Sequence, residues 1–414
     1  MSNLRPVKGT RDLLPVETRR FSFLHKKFQD VTELYGFGEI STPILENLEV
    51  FTHSLGDTSD VVTKQMYTFK DNNGDMLVLR PEGTAGVARA FINAGMSQDI
   101  PVKLSYYGPM FRYERPQKGR YRQFFQMGVE LLGAQKAQAD IECIACARQM
   151  LSEIGLLPRV KLQINSIGDG ESRNHYREAL LNFLKSHFHE LSVDSQARFE
   201  KNPLRILDSK DPKDREILKA APLFRDSLNE ASKNFFAEIC EGLGALKIDF
   251  VIDDYLVRGF DYYCHTVFEF TTEDLGSQNA VLSGGRYDGL IETFGGPKTP
   301  GVGWAAGVDR LALMLNDIPE KVRPIAVIPM SEAQEKPALA ICMQLRQAGI
   351  ASDLAFSGNS AKRMKRANKI GAKYAVILGE EELARQKLVL KNMDEGTQVE
   401  LTMDSLMEAI LMRT

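Results

Sequence analysis

The segment "FRYERPQKGRYRQFFQMGVE", residues 111–130, constrains the fold of this chain more than any other. Two strand-like runs, "YYGPMFRYE" and "YRQFFQMGVELLG", flank the turn-rich "RPQKG", which predicts a β-hairpin. Because alternate residues of a strand share a face, the returning strand has an apolar face formed by Phe125, Met127, Val129 and Leu131. Its other face is polar apart from one ring and consists of Phe124, Gln126, Gly128 and Glu130. The pattern predicts an antiparallel sheet with one face in a core and the other available to a ligand.

The polar face of this hairpin carries groups that suit a nucleotide and a polar small molecule. On the first strand Arg112 and Glu114 are expected to point the same way. Arg112 can bind a phosphate through two donors, Phe124 can stack on a base, and Glu130 can accept from an N–H group. The loop adds cations that suit phosphates of ATP or RNA: Arg115, Lys118, Arg120 and Arg122. The alternative is a solvated hairpin tip with a surface ion pair, and the one-sided polar face argues against it.

Composition limits the partners and the location of the chain. A net charge of −3 gives no global attraction to nucleic acid or membrane, so any polyanion site is local. The N-terminal "MSNLRPVKGTRDLLP" lacks the apolar run of a signal peptide, and no stretch of about 18 apolar residues suggests a membrane span. Five cysteines without a disulfide framework fit a reducing compartment. We therefore predict a cytoplasmic protein with no membrane partner.

Two short patterns superficially suggest metal ligands. Cys143 and Cys146 form "CIAC", but they lie in a run with helical apolar periodicity and have no second Cys/His pair nearby. His187 and His189 in "HFHE" lie in a charged helical region, and two histidines alone bind metal poorly. We predict no metal site formed by protein ligands alone, and we expect the cysteines to be packing residues of a helix.

The predicted secondary structure and the density of charged residues change three times along the chain. Residues 1–167 and 247–320 mix helix with strands, whereas residues 168–246 are charged and helical. After a linker around Arg323, residues 324–414 alternate β and α, which predicts a small α/β domain. Neither the P-loop pattern nor G-x-G-x-x-G spacing occurs, so ATP, if it binds, is expected to bind on the sheet.

Several segments taken together resemble a known family. "YGFGEISTPILE" with Pro43, "FRYERPQKGRYRQFFQ", and "GVGWAAGVDRLAL" ending in Arg310 are similar to the three motifs of class II aminoacyl-tRNA synthetases. "LVRGFDYYCHTVFE", "SGGRYDGL", "LRPEGT" and "KGTRDLLP" resemble peptides of the histidyl-tRNA synthetases. The departures are Phe260 where leucine is commoner, the pair Cys264–His265, and Asp309 in place of a frequent glutamate.

The resemblance implies a fold and a reaction. The fold is an α+β catalytic domain on an antiparallel sheet (1–167 and 247–320), a helical insertion (168–246) and a C-terminal α/β anticodon-binding domain (324–414). The reaction is ATP-dependent ligation of L-histidine to the 3′ end of tRNA(His) through a histidyl-adenylate, with Mg²⁺ on the phosphates. The first motif implies a homodimer.

The resemblance also implies roles for individual residues. Arg258 and Arg112 are the expected catalytic residues, and Arg258 is expected to hold the histidine carboxylate and the α-phosphate. The expected ATP-binding residues are Arg112, Glu114, Arg120, Phe124 and Arg310. The expected histidine-binding residues are Glu82, Thr84, Arg112, Gln126, Glu130, Arg258, Tyr262, Tyr263 and Tyr287. For the tyrosine segment a core strand is the alternative, and for "GGRYDG" an ordinary turn.

The contacts with tRNA are predicted from charge and resemblance together. Gln117 and Arg120 of the second motif's loop are expected to sense the first base pairs, and the helical insertion is expected to approach the acceptor end. A basic cluster in the C-terminal domain is predicted to bind the anticodon region through Lys362, Arg363, Lys365 and Arg366. From charge alone a solvated helix face explains that cluster equally well.

Two rival functions remain at this point. A non-catalytic relative, such as a histidine-biosynthesis regulatory subunit or a tRNA-sensing module, keeps the fold but loses catalytic arginines or the C-terminal domain. Here Arg112, Arg258 and Arg310 and that domain are all present. A class II synthetase for glycine or proline conflicts with "LVRGFDYY" and with Glu130.

Overall fold

The structure is a computed structural model that describes residues 4–56, 59, 61–276, 279–317 and 320–412. It separates into two units, the first ending at residue 319 and the second beginning at residue 320.

The strands follow one another along the chain as β1 (Gly38–Glu39), β2 (Leu45–Asn47), β3 (Tyr67–Lys70), β4 (Met76–Leu79), β5 (Val102–Phe111), β6 (Gln123–Leu132), β7 (Lys161–Ser166), β8 (Val251–Ile252), β9 (Cys264–Thr271), β10 (Ala280–Arg286), β11 (Gly301–Gly307), β12 (Ile325–Pro329), β13 (Ser352–Leu354), β14 (Tyr374–Leu378), β15 (Lys387–Asn392) and β16 (Gln398–Thr402). The α-helices are α1 (Pro15–Leu34), α2 (Glu49–Leu55), α3 (Thr84–Asn93), α4 (Gln138–Glu153), α5 (Gly170–His187), α6 (Val193–Phe199), α7 (Pro212–Leu218), α8 (Phe224–Ser227), α9 (Glu230–Ala245), α10 (Leu290–Thr293), α11 (Val308–Met314), α12 (Glu335–Gln347), α13 (Ser360–Ile370), α14 (Glu380–Ala384) and α15 (Met403–Leu411).

The first unit is built on a large sheet, which in the described part of the chain has the strand order β1-β5-β6-β11-β10-β9-β7-β8. The run from β5 to β7 is antiparallel throughout, and only the terminal pairs β1/β5 and β7/β8 are parallel. The predicted antiparallel sheet is therefore confirmed. A second, smaller sheet of order β2-β4-β3 lies in the same unit.

One face of the large sheet is covered by helices. The predicted apolar face of β6 lies in the core, where Met127, Val129 and Leu131 are almost fully buried. Helix α1 packs there because its apolar residues recur at helical intervals, and the Phe28 ring contacts the Trp304 ring at 5.9 Å between centroids. Cys143 and Cys146 of α4 are buried in this core, as predicted for packing residues.

Helix α4 is tied to the sheet by a buried ion pair. Arg286, at the end of β10, pairs with Asp140 of α4, and both side chains are fully buried. The same guanidinium donates to the Ala134 carbonyl at 3.1 Å and to Asp288 at 3.0 Å. In the segment "GGRYDG", Gly284–Arg286 end strand β10 and Tyr287 is buried, and only Asp288 and Gly289 form a turn.

Residues between β7 and β8 form the predicted run of helices, α5 to α9. The N-termini of α5, α6, α7 and α9 are capped by side-chain oxygens of Asp169, Ser192, Asp211 and Asn229, respectively. At the α6/α7 junction the buried Asp214 carboxylate accepts hydrogen bonds from the hydroxyls of Ser192, Ser195 and Ser209. These contacts fix the loop between α6 and α7, which forms one wall of the site described below.

The tyrosine segment does not form the core strand that was its alternative interpretation. Only Val251–Ile252 and Cys264–Thr271 are strands, and residues 253–263 between them are irregular. Strand β9 starts with a distortion, because His265 has a φ of 48° in the left-handed region. That conformation is held by hydrogen bonds from His265 N to Gly168 O at 2.7 Å and from Ile167 N to His265 O at 2.8 Å.

The second unit is the predicted α/β domain. Its sheet has the order β13-β12-β14-β15-β16 over the residues described from 320 to 412, with β13, β12 and β14 parallel and the rest antiparallel. Helices α12 and α15 pack on one face around Ile341 and Leu406, and α13 packs on the other around Ala367.

Candidate active site

A cavity of about 900 Å³ opens on the face of the large sheet opposite the helix-covered core. Its floor comes from β6, β10 and β11, and one wall comes from residues 192–211 of the helical segment. The predicted polar face of β6 is part of this floor, since Phe124, Gln126 and Glu130 all line the cavity. The antiparallel pleat therefore separates core from cavity as the alternation of the sequence requires.

The three arginines on which the sequence argument depends line the same cavity. Arg112 follows β5, Arg258 lies in the irregular segment before β9, and Arg310 is in the first turn of α11. Arg112 Nε donates to Pro81 O at 2.8 Å, Arg258 Nη2 donates to Ser283 Oγ at 2.8 Å, and Arg310 donates to Ala280 O. Each guanidinium is thus held by protein oxygens while it faces the cavity.

These guanidinium groups are poorly solvated. Burial lowers the pKa of both Arg112 and Arg310 from the ordinary arginine value. Arg258 is paired with Glu269, a carboxylate whose own pKa is raised by burial. A cation that has lost water gains more from an incoming anion than one in bulk solvent, so the cavity favours a polyphosphate or a carboxylate.

Glu130 is the centre of a buried hydrogen-bond network. One carboxylate oxygen accepts from the Thr84 hydroxyl at 2.7 Å, and the other accepts from the Tyr287 hydroxyl. Burial raises the pKa of Glu130 to about 8. Neighbouring Glu82 accepts from the backbone N–H groups of Thr84 and Ala85, both at 2.8 Å, and so caps α3.

The glycines of β11 make room for this network. A Cβ on Gly303 would lie 2.0 Å from Glu130 Oε2, and a Cβ on Gly301 would lie 2.3 Å from the Tyr287 ring. The alternating glycines of "GVGWAAG" therefore permit the close approach of Glu130 and Tyr287 to the strand rather than a phosphate-binding turn.

Aromatic side chains form the end of the cavity near Glu130. The rings of Tyr262 and Tyr263 are 4.5 Å apart between centroids, and Tyr262 meets Tyr287 edge-on at 5.7 Å. The Arg258 guanidinium lies 5.4 Å from the Tyr263 ring centroid. Burial raises the pKa of all three tyrosines, which keeps their hydroxyls protonated as donors at neutral pH.

The first strand of the hairpin ends before Arg112 and Glu114, which were predicted to lie on one of its faces. Strand β5 ends at Phe111, and the carboxylate of Glu114 beyond it forms an ion pair with Arg120 at 2.9 Å. The loop cations are therefore not free of acidic partners, although Arg120 and Glu114 both line the cavity. Gln117 instead forms an isolated bridge with the Arg120 backbone and does not line the cavity.

In the second unit the basic cluster divides into exposed and buried members. Lys362 and Lys365 are exposed, as a binding surface requires. Arg363 is only 5% exposed, and its guanidinium donates within the domain to Pro329 O at 2.7 Å and to Glu335 at 2.6 Å. Arg366 is exposed but paired with Asp353 at 2.8 Å.

The cavity wall formed by the helical segment was not predicted from the sequence. Arg198, Arg205 and Lys210 line it, and Glu269 and Ser283 hold Arg258. The high content of charged residues in 168–246 was the only sequence feature that could have indicated this wall, because contacts between distant parts of a chain leave no local sequence pattern. Among the described residues no cluster of three or more His, Cys, Asp or Glu side chains is placed to hold a metal. No described helix is both long and apolar enough to cross a membrane.

Comparison with known proteins agrees with this geometry. The model of the histidyl-tRNA synthetase family matches residues 9–311, and that of the anticodon-binding domain matches residues 324–413. A histidine–tRNA ligase of Rhodospirillum rubrum is 56% identical over 399 residues, with 96% of each chain covered. The apo histidyl-tRNA synthetase of S. aureus superposes with a TM-score of 0.82 at 34% identity, covering 98% of this chain and 99% of that one. A Bacillus halodurans structure titled as an ATP phosphoribosyltransferase regulatory subunit/histidyl-tRNA synthetase gives 0.65 at 25% identity, covering 88% of this chain and 97% of that one.

The antiparallel sheet with its arginine-lined cavity is the fold of a class II aminoacyl-tRNA synthetase. Both matched family models, and the similarity over 96% of the chain, narrow the class to a single family. The chain belongs to the histidyl-tRNA synthetase family, and the family predicted from the sequence is confirmed.

Proposed function

We propose that this chain activates L-histidine with ATP and transfers it to the 3′ end of tRNA(His). The observation that carries the proposal is the placement of Arg112, Arg258 and Arg310 in one cavity with the buried Glu130 network. The arginines supply an anion site, and the network supplies a polar pocket of the size of a side chain.

ATP binds along the β5–β6 part of the floor in this proposal. Arg112 and Arg310 hold phosphate oxygens, because both are cationic and desolvated. Phe124 offers its ring to the adenine base, Glu114 accepts from the adenine amino group, and Arg120 completes the site beside Glu114. The Arg112 guanidinium lies 5.4 Å from the Phe124 ring centroid, so base and phosphate groups would meet neighbouring side chains.

Histidine binds between the sheet and the tyrosines. Glu130 and Tyr263 contact the imidazole nitrogens, while Tyr262 and Tyr287 shape the pocket around the ring. Glu82, Thr84 and Gln126 face the α-amino group. An analogue without the N–H group would leave the buried Glu130 carboxylate without one of its expected donors, and pockets that read polar groups in this way discriminate by about 10⁴-fold.

Activation requires no protein nucleophile. A histidine carboxylate oxygen attacks the α-phosphorus, the bond from that phosphorus to the bridging oxygen breaks, and pyrophosphate leaves. Arg258 holds the carboxylate and the α-phosphate, with Arg112 beside it, and offsets the charge that develops on the phosphoryl oxygens. The terminal ribose hydroxyl of tRNA then attacks the acyl carbon and AMP leaves.

Mg²⁺ would enter with ATP. This ion usually keeps several waters and is bound through one or two carboxylates besides phosphate oxygens, and Glu269 of β9, which lines the cavity and also pairs with Arg258, is such a carboxylate. When bound, Mg²⁺ neutralises phosphate charge and orients the pyrophosphate leaving group.

The same proposal assigns the remaining parts of the chain. Residues 1–167 with 247–320 form the catalytic domain, 168–246 the insertion, and 324–414 the anticodon-binding domain. Gln117 and Arg120 approach the acceptor end of tRNA, and Lys362, Lys365 and Arg366 approach the anticodon region through their charge. The protein acts as a cytoplasmic homodimer, and two exposed apolar side chains within the first motif, Ile44 at 40% and Leu45 at 48%, suit a subunit contact.

The test is amino-acid-dependent ATP–pyrophosphate exchange with each of the twenty amino acids and no tRNA. Histidine alone should support exchange. Arg258→Ala should lower kcat by about 10³-fold or more, since it removes a fixed cation at the reacting phosphate. Arg215→Ala, an exposed arginine of α7, is the matched control and should exchange normally. Exchange with another amino acid, or full exchange by Arg258→Ala, would contradict the assignment.

A further inference from the structure

The segment from Arg258 to Tyr263 belongs to no helix or strand, yet it carries three of the proposed site residues. Regular strands hold their side chains through ladder hydrogen bonds, and this segment lies outside both β8 and β9. Its backbone and its position must therefore be held by other groups. The structure shows that these groups come from the helical insertion.

Arg173 of α5 is the first of them. Its Nη2 donates to Asp261 O at 2.9 Å, and its Nη1 donates to Tyr263 O at 3.1 Å. The planar guanidinium thus spans two carbonyls of the segment, on either side of Tyr262. Arg173 does not line the large cavity, so it acts on the site through its hydrogen bonds to this backbone rather than by contact with a substrate.

Two residues of the turn between α6 and α7 complete the contact. Asn202 Nδ2 donates to Asp261 Oδ1 at 3.0 Å, and Arg205 Nη1 donates to Gly259 O at 2.6 Å. Gly259 directly follows Arg258 in the chain. The three side chains therefore hold the segment at Gly259, Asp261 and Tyr263. These positions alternate with or adjoin the residues whose side chains line the cavity.

The character of these hydrogen bonds favours a fixed arrangement. Three of the four have a guanidinium donor, and charge-assisted hydrogen bonds are stronger than neutral ones. The donors come from elements at least 54 residues away in sequence, so they form only when the helical insertion is folded against the catalytic sheet. A shift of the segment by about 1 Å is enough to lower a rate about 10²-fold when the shifted group must meet a reacting atom.

We propose that Arg173, Asn202 and Arg205 are positioning residues for histidine activation, acting through the backbone of residues 258–263 on Arg258 and Tyr263. The inference rests on the proposed function of the cavity. It gives the helical insertion a part in the first reaction step, which proceeds without tRNA, in addition to its approach to the acceptor end.

Arg173 provides the cleanest test, because Arg205 also lines the cavity and could touch a substrate. Arg173→Gln should lower kcat and raise the KM for histidine in tRNA-free exchange, with kcat/KM for histidine down about ten- to a hundred-fold. The KM for ATP should change much less than the KM for histidine, since Arg112, Phe124 and Arg310 are placed by other elements and only the α-phosphate meets Arg258. Arg173→Lys keeps a charged donor that reaches one carbonyl and should recover part of the loss.

Arg177→Gln is the matched control, because Arg177 is an exposed arginine one turn further along the same helix. Circular dichroism and thermal unfolding of each variant show whether the fold is kept. If wild type itself shows no histidine-dependent exchange, the proposed function fails, whatever the variants do. If wild type and Arg177→Gln exchange normally and Arg173→Gln matches them, the positioning role is refuted. Parallel loss of histidine and ATP parameters with a loss of helix signal, unrescued by lysine, would also refute it in favour of a purely structural role.

Discussion

The hydrogen bond from the Tyr287 hydroxyl to Glu130 should control how the enzyme's affinity for histidine depends on pH. Burial raises the pKa of Glu130 to about 8, and the hydroxyls of Tyr287 and Thr84 oppose that rise by stabilising the carboxylate. In the proposed pocket the ionised carboxylate accepts from an imidazole N–H group. Below this pKa the value of kcat/KM for histidine should therefore increase with pH as the carboxylate ionises.

Tyr287→Phe removes one of these donors and little volume. A hydrogen bond to a charged group contributes about 1.5–3 kcal/mol. One pKa unit corresponds to about 1.4 kcal/mol, so the pKa of Glu130 should rise by about one to two units. Well below the pKa each unit reduces the ionised fraction about tenfold, which lowers kcat/KM for histidine roughly 10- to 100-fold at neutral pH.

The assay is pyrophosphate exchange at saturating ATP from about pH 6 to about pH 10, which spans the expected pKa values before and after the substitution. Free histidine titrates in this range too, but identically for every variant, so the difference between profiles belongs to the enzyme. Tyr262→Phe is the control, since it removes a hydroxyl from the same cavity and leaves the Tyr287–Glu130 hydrogen bond in place. Glu130→Gln should abolish the ionisation. An unchanged or lowered apparent pKa in Tyr287→Phe would refute the role of this hydrogen bond.

Three further predictions concern stability, each measured by urea-induced unfolding of the full chain. Asp140→Ala leaves the fully buried Arg286 without its main partner and should lower the free energy of unfolding by about 3–5 kcal/mol; a change under about 1 kcal/mol would show that Asp288 suffices. Burial lowers the pKa of His265, so the unfolded chain binds the proton more tightly and stability should fall as pH drops below about 6.5. His265→Asn, which tolerates the left-handed backbone, should lose less stability on acidification than wild type, and equal losses would dismiss the histidine as the cause. Arg363→Ala should cost about 1–3 kcal/mol because it leaves the buried Pro329 carbonyl without its donor, whereas exposed Lys365→Ala should cost almost nothing, and the reverse order would contradict the assigned burial.

Local patterns carried the features that the sequence predicted correctly. The two faces of β6 follow from the two-residue repeat of a strand, so Glu130 could be assigned to the polar face and Met127 to the core. The helices of the second unit and of residues 168–246 follow from their apolar spacing and polar caps in the same way. The family resemblance joined the separated motifs, which spacing alone could not do.

Other features were misjudged because they depend on what approaches from elsewhere. Residues 253–263 have strand-like composition, but they form no strand. Arginines of the helical insertion donate hydrogen bonds to backbone carbonyls of this segment, which in a sheet would accept from a neighbouring strand. Arg363 lies in a basic run, yet it faces inward because Pro329 O and Glu335 offer acceptors there. Arg120 acquires Glu114 as a partner once the loop folds back.

The order of residues by itself determined the antiparallel hairpin, its polar and apolar faces, and the supply of cations, carboxylates and rings for a nucleotide and a polar small molecule. Only the tertiary structure decided that Arg112, Arg258 and Arg310 share one cavity. It also decided that burial raises the pKa of Glu130 to about 8, and that the helical insertion donates hydrogen bonds to the segment that follows Arg258. The physical reason is that strand and helix periodicities are set by neighbours in the chain, whereas burial, desolvation and charge pairing depend on groups brought together by folding.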